Sequence, residues 1–548
     1  MKSLKHYFII SAISLLPLLP AIFTVDLPHT HDGLVHLSRI AAYYTELSRL
    51  QIPPRWATDL NYGYGLPLFN FIYPLPYLLA SAFVALGLSL VFAFKAVLIS
   101  SYLLSGIFIF SFAREFFRDT RKAWAVTIFY QFAPFRLVEL WVRGSFGECL
   151  TYAFLPLTLW ALARLFKKIT VSNLVLTALS LMLVILSHNS VSLVFFAIIA
   201  LFVIFFSPNR RTLLYSSVAL GLGLMASAFY WLPALLEHKY TYGNLLMRDL
   251  FRTHFPPLIN FFLPNFFNSS KLQTGGVASQ FGLFQVIALG LGIYVFFRKA
   301  TEKKLKRIIL FAFGLSIIAL LLMQPVSLCL WEKFSLLRQF QFPWRLLSVI
   351  VLTTSLSSVS YLELRIFRKP LAYLVLLILV VLTTMYYWFP PLGFDRIRNE
   401  SIYWNYPLNT TYFGETDVIW SAGPAKAYPQ ERVEVSEGMA KISNFSQKGS
   451  DLSLTVEAAK PSWVVANLQY FPGWRVYIDG AKTAIEFQNP NWRGLITFPV
   501  PSGTHQVKLT FGETPLRLIA DIVSLATFIS LLALLLSRKL IIYKYVKV

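Results

Sequence analysis

The chain has 548 residues, of which 56% are hydrophobic, 16% aromatic and only 14% charged, with a mean hydropathy of +0.60. That much apolar surface cannot be hidden in a water-soluble core, so the sequence reads as a polytopic α-helical membrane protein. The formal charge of +23 is spread beside the ends of apolar runs, where it meets lipid headgroups, and it gives no support to nucleic-acid binding.

Apolar runs of about 16 to 24 residues, near the length that crosses a hydrocarbon layer, predict about twelve spans. They cover 7–23, 96–113, 123–140, 150–165, 171–187, 191–206, 213–236, 281–297, 308–323, 346–362, 371–388 and 518–536. Every second connection is short and basic: Lys2/Lys5, Arg114 to Lys122, Arg164 to Lys168, Arg210/Arg211, Arg298 to Arg307, Arg365 to Lys369, and the tail with Arg538, Lys539, Lys544 and Lys547. By the positive-inside rule these connections and both termini are cytoplasmic, in a cell (inner or plasma) membrane. Pro20 to Val25 offers no small-x-small cleavage site, so the first span is expected to stay as a helix. Cys149 and Cys329 suggest neither a disulfide framework nor a thiol metal motif.

The connections on the outer side are unequal. The first, 24–95, is too long for a turn. In it Leu34, Leu37, Ile40, Ala41, Tyr44, Leu47 and Leu50 follow helical spacing, with Asp32, His36, Arg39, Tyr43 and Glu46 opposite, which predicts a helix lying along the membrane surface. The apolar piece 69–90 is broken by Pro74 and Pro76 and reads as a bent juxtamembrane segment. Outer loops at 237–280 and 324–345 are expected to cap a cavity. From 389 to 513 the chain is less apolar, with strand-like alternation at 432–435, 452–456, 463–470, 474–478, 495–500 and 506–511, expected to form a small β-sandwich. The organisation is therefore a transmembrane domain over 1–389, an extracytoplasmic β domain over 390–513, and a final span with a basic tail over 514–548.

Asp32 and His36 stand i, i+4, so on a helix they share a face, with Arg39 one turn on. A carboxylate held beside an imidazole and a guanidinium suits a general base. The same pattern also describes the polar face of an interfacial helix. A metal site from His29, His31 and His36 is a third reading, although the spacing fits no standard metal motif. Arg143, followed by Gly144 and then Glu148, can approach a phosphate closely, or can simply anchor a helix end to lipid. His188 and Glu237, each alone, read as helix-end polarity. With Arg338, and with Arg345 of the Gln341 to Arg345 segment, they complete a set of outer polar residues whose convergence points to a cavity.

The order of these motifs resembles a known family. His31-Asp32-Gly33 with His36 and Arg39 comes first, followed by Tyr64-Gly65-Leu66-Pro67 and Tyr73-Pro74-Leu75-Pro76-Tyr77. After them come Arg143-Gly144 with Glu148, Leu186-Ser187-His188-Asn189, Trp231-Leu232-Pro233 with Glu237, and Gln341-Phe342-Pro343-Trp344-Arg345. The set resembles the bacterial 6-pyruvoyl-tetrahydropterin synthase-related membrane proteins, which in turn resemble the GT-C superfamily of integral-membrane glycosyltransferases. The pterin label implies soluble zinc chemistry, for which a chain this apolar shows no fold.

The resemblance implies a polyprenyl-phosphate sugar donor, an extracytoplasmic acceptor and an acidic residue of the first outer loop, here Asp32, as the catalytic base. Many members carry two adjacent acidic residues there, whereas this chain has Asp32-Gly33. The resemblance implies no particular cofactor, and a divalent cation is the one to consider. Substrate contacts are expected from His31, His36, Arg39, Arg143, Glu148, His188, Glu237, Gln341 and Arg345, with Arg143 and Arg345 on the departing phosphate, and acceptor contacts from Trp474 and Trp492. The rival reading is a flippase, transporter or assembly factor for lipid-linked sugars.

Overall fold

The computed structural model describes residues 2–262, 279–411 and 414–545. Part of the expected cap, 263–278, and Lys547 of the basic tail lie outside the described residues. Among the described residues seven helices are long and apolar enough to cross a membrane: Leu4–Ile22, Leu90–Phe117, Phe146–Lys167, Lys303–Leu322, Pro343–Glu363, Pro370–Tyr387 and Pro515–Leu536. Arg210–Ala226 and Ala228–Leu236 make an eighth if the pair, bent by 71°, counts as one span. The bend falls at Ser227, whose hydroxyl is turned back onto the Gly223 carbonyl, 2.9 Å away, a known way to kink a helix. Val171–Ser187, Ser190–Phe206 and Leu283–Phe297 are shorter apolar helices. The run at 123–140 is not one helix. Thr120–Gln131 stops before Pro134, and a short helix, Pro134–Val138, leads into a π turn, Glu139–Arg143.

The long helix Leu90–Phe117 separates two chemically different ends of the bundle. At its N-terminus the Glu400 carboxylate accepts the backbone N–H groups of Leu90 (2.9 Å) and Val91 (3.0 Å), an anion at the positive end of a helix dipole. At the other end the basic connections gather. Lys167 pairs with Glu115 at 3.0 Å, Lys304 donates to the Phe116 carbonyl, and Arg121 donates to the carbonyls of Phe367 (2.7 Å) and Arg368 (3.0 Å).

The first long loop forms the expected helix, Gly33–Ser48, but with a different environment. His36, Tyr43 and Glu46 are buried as fully as Leu37 and Ile40, while Leu34 is exposed. The polar face stays inside because protein groups satisfy it: Glu46 accepts the Thr58 N–H at 2.9 Å and the Arg49 guanidinium at 3.2 Å. Short helices Leu68–Phe71 and Leu75–Ala85 follow, broken at Pro74 as anticipated.

Ten strands are present among the described residues: β1 Leu27–Pro28, β2 Phe394–Asp395, β3 Val433–Glu437, β4 Ala440–Lys448, β5 Asp451–Ala458, β6 Ser462–Gln469, β7 Trp474–Ile478, β8 Ala481–Thr483, β9 Leu495–Val500 and β10 Gly503–Phe511. The antiparallel pair β1–β2 fastens the first loop to the segment after residue 389. The rest form two antiparallel sheets, β4-β5-β10-β7-β8 and β3-β6-β9. Leu452, Leu454 and Val456 of the first share one apolar core with Val464, Ala466 and Phe498 of the second, and Trp56 and Phe71 of the first loop enter the same core.

Candidate functional site

Backbone pairing places the key carboxylate. The N–H of His31 donates to the Val142 carbonyl at 3.0 Å and that of Asp32 to the Arg143 carbonyl at 3.1 Å, so the start of the Gly33–Ser48 helix is stitched to the π turn. The approach is close because Gly144, at φ +63°, has no side chain: a Cβ there would stand 2.2 Å from the Thr30 hydroxyl. Asp32 thereby comes within 4.0 Å of Arg143 Nη2, with its own side chain 45% exposed.

Behind Asp32 lies a buried ionic array. Arg143 Nη1 donates to Glu139 (2.8 Å) and to Glu148 Oε1 (2.7 Å). Glu148 Oε1 also receives Arg345 Nε at 3.2 Å and lies 3.5 Å from His188 Nε2. Arg345 Nη1 donates to Gln341 Oε1 at 2.8 Å and to the Phe340 carbonyl at 2.9 Å. Trp344 lies under the Arg143 guanidinium at 4.7 Å, a cation–π contact. His36 Nδ1 shares a hydrogen bond of 2.9 Å with the Tyr77 hydroxyl, and His188 lies over Tyr73 with ring centroids 4.8 Å apart. Burial, reinforced by Arg39, Arg143 and His188, holds the His36 imidazole well below its ordinary pKa. Burial also lowers His188, against the pull of Glu148. Both rings are therefore neutral at pH 7 and act as hydrogen-bonding and packing groups. Arg39 donates to the hydroxyl of Thr410 at 3.2 Å and to its carbonyl, so its hydrogen bonds there run to neutral oxygens.

Asp32, His36, Arg39, Arg143, Glu148, His188, Gln341 and Arg345 thus converge, with His31 on the exposed side of the strip that carries Asp32. Three expectations change. Glu148 is wholly buried under two arginines, so it organises them and does not face a substrate. Glu237 belongs to another cluster, where it accepts Arg517 Nε at 2.9 Å, Asn70 Nδ2 at 2.7 Å and Thr514 Oγ1 at 3.2 Å. Trp474 is 4% exposed and packs edge-on against Trp56, so its ring belongs to the core and is withdrawn from any acceptor. Trp492, half-buried in the short turn Pro490–Trp492, stays near the surface.

The three histidines of the alternative metal reading diverge. His29 bonds Asp395 at 2.8 Å, whereas His36 is buried on Tyr77. Among the described residues no three His, Cys, Asp or Glu side chains are grouped to hold a metal ion. Sequence reasoning missed Glu139, hidden in an apolar run although it stands i, i+4 from Arg143, and gave Tyr73 and Tyr77 no role.

Fold and site together define a membrane protein with a half-exposed carboxylate on the rim of a buried arginine–carboxylate array. The chain belongs to the family described as the 6-pyruvoyl-tetrahydropterin synthase related domain, a membrane protein family, which matches residues 69–389, more than half of its length. A curated relative, an uncharacterised protein of Lactococcus lactis subsp. cremoris (strain MG1363), is 23% identical over 261 residues, 45% of this chain and 42% of the relative. The chain therefore spans less than half the length of that relative.

Among solved structures, the mycobacterial arabinofuranosyltransferase AftD is similar at 16% identity and a TM-score of 0.44, over 71% of this chain and 27% of that one. An Archaeoglobus fulgidus oligosaccharyltransferase, in complex with zinc and sulfate, shows 15% identity and a TM-score of 0.42 over 74% and 57%. ArnT of Cupriavidus metallidurans, bound to undecaprenyl phosphate, shows 12% identity and a TM-score of 0.31 over 66% and 77%.

Proposed function

We propose that the chain is an integral-membrane glycosyltransferase that moves a sugar from a polyprenyl-phosphate donor to an extracytoplasmic acceptor, with the basic end of the bundle and both termini cytoplasmic. The observation that carries this reading is Asp32: a carboxylate 45% exposed, 4.0 Å from an arginine whose other nitrogen is fixed by two buried carboxylates. Asp32 accepts the proton of the acceptor hydroxyl as that oxygen attacks the anomeric carbon. The bond from that carbon to the phosphate oxygen breaks with inversion, and the lipid phosphate leaves with the electron pair. Such a leaving group needs no protonating acid, which suits one base among cations.

Three arginines are candidates for the departing phosphate. Arg143 and Arg345 already share Glu139 and Glu148. Arg39, whose hydrogen bonds to Thr410 reach neutral oxygens and which shares its charge with Glu415 and two tyrosines, is a third candidate for the phosphate. Among the described residues no three His, Cys, Asp or Glu side chains gather at Asp32, which stands beside an arginine, a poor donor set for a divalent cation, and no step is routed through one.

The test is turnover of a synthetic polyprenyl-phosphate sugar by the purified protein in nanodiscs. Asp32→Asn is expected to lower turnover by about 10² to 10⁴ while donor binding persists; full activity in that variant would sink the base assignment. One observation favours the flippase alternative. Arg136 is buried in a cage of Tyr102, Tyr130 and Tyr152 with Nη1 unpartnered, an interior charge of the kind transport pathways use. Movement of the labelled lipid between leaflets without sugar transfer would favour that reading.

A further inference from the structure

A second concave site lies on the seam between the first loop and the β sheets. It is a groove of about 420 Å³ whose lining includes Arg49, Asp59, Tyr62, Tyr428, Arg432 and Gln447, within the size range of small-molecule sites. Its aromatic pair, Tyr62 and Tyr428, meets edge to face with ring centroids 5.2 Å apart, and Tyr428 is 59% exposed, so ring face remains available for stacking. Arg49, Asp59, Arg432 and Gln447 add planar polar groups. Arg49 is neutralised by Asp59 at 2.9 Å and Glu46 at 3.2 Å. Arg432 has no ion pair of its own: it donates to Gln447 Oε1 at 3.1 Å and to the carbonyls of Gly63 and Asn467, feels Asp59 at longer range, and among the described residues no carboxylate lies within 4.0 Å of it. Flat apolar faces beside forked polar groups, with one guanidinium that no carboxylate pairs directly, match a sugar ring bearing a carboxylate.

The groove is far from the reacting carboxylate. Asp32 precedes the Gly33–Ser48 helix and Arg49 follows it, which separates them by about 25 Å at 1.5 Å per residue. A ligand held at both places must be a chain. We propose that this groove binds a distal part of the acceptor, and that the acceptor is an oligosaccharide carrying carboxylate groups; the inference rests on the transferase reading above.

The test is calorimetric titration of the full-length protein in nanodiscs with oligogalacturonate and with an uncharged malto-oligosaccharide of equal length. Oligogalacturonate should bind at least about tenfold more tightly. Tyr428→Ala, an exposed position that leaves folding intact, and Arg432→Gln should each weaken it about tenfold or more. Equal affinity for the two saccharides, affinity unmoved by Tyr428→Ala, or equal binding of poly-glutamate would overturn the proposal. Saccharide binding without turnover of any lipid-linked sugar would defeat the transferase reading and leave the groove assignment standing. Turnover without saccharide binding would do the reverse.

Discussion

Glu148 Oε1 serves three partners at once: Arg143 at 2.7 Å, Arg345 at 3.2 Å and His188 at 3.5 Å. Removing one member of such a buried set strands the others' charge, at a cost of about 3–5 kcal/mol. Glu148→Gln is therefore expected to lower the thermal midpoint of the detergent-purified protein sharply, whereas Asp32→Asn, at a half-exposed position, should leave it nearly unchanged. The opposite order would mean that the array is not what holds the π turn. His36 supplies a pH test. Its folded pKa lies well below the unfolded value of about 6.5, so below that pH the unfolded chain binds a proton that the folded chain refuses. Stability is full above about pH 7 and falls as pH drops, by up to about 1.4 kcal/mol per pH unit until the folded pKa is reached. His36→Gln should flatten the decline in thermal midpoint measured from pH 8 to pH 5.

At the scale of elements, the site depends on a glycine contact between two strips of chain. Gly144→Ala would place a methyl group 2.2 Å from the Thr30 hydroxyl at a left-handed φ of +63° and push Asp32 away from Arg143. Sugar transfer should fall by more than tenfold, and Thr30→Gly in the same chain should recover part of it; no recovery would place the defect elsewhere. What the sequence reveals follows the same local-versus-distant divide. The Gly33–Ser48 helix is legible because its apolar spacing is a property of sixteen consecutive residues. The inward turn of its polar face is not, because the groups that satisfy Glu46 come from the chain beyond the helix. The six alternating strands are likewise legible, whereas β4, mostly exposed along its length, and β8, three residues long, carry too little alternation to show. Asp32, His36 and Arg39 could be grouped by helical spacing. The partner of Glu237 could not, for Arg517 lies 280 residues further along.

Across the whole molecule, the first loop joins the β sheets to the last helix through two adjacent residues that point apart. Arg55 reaches Asp521 at 2.7 Å, Glu513 at 3.3 Å and the Phe229 carbonyl at 2.7 Å. Trp56 is completely buried in the β-sheet core, against Trp474 and Phe511. Arg517 closes the loop from the other side, bonded to Glu237 and, at 2.6 Å, to the Pro472 carbonyl, with Phe471 and Phe511 about its guanidinium. The β sheets are thus not a separable attachment, and excising residues 395–513 would expose Trp56 and Phe71, deprive Arg55 of Glu513 and deprive Arg517 of the Pro472 carbonyl. The excised protein is expected to aggregate on size-exclusion chromatography instead of eluting as a single peak. Trp56→Ala, a smaller injury to the same joint, should cost about 3–5 kcal/mol, visible as a lowered thermal midpoint and as faster protease cleavage between residues 395 and 513. A monodisperse deletion protein that still transfers sugar would show that the joint is dispensable and that the helical body folds on its own.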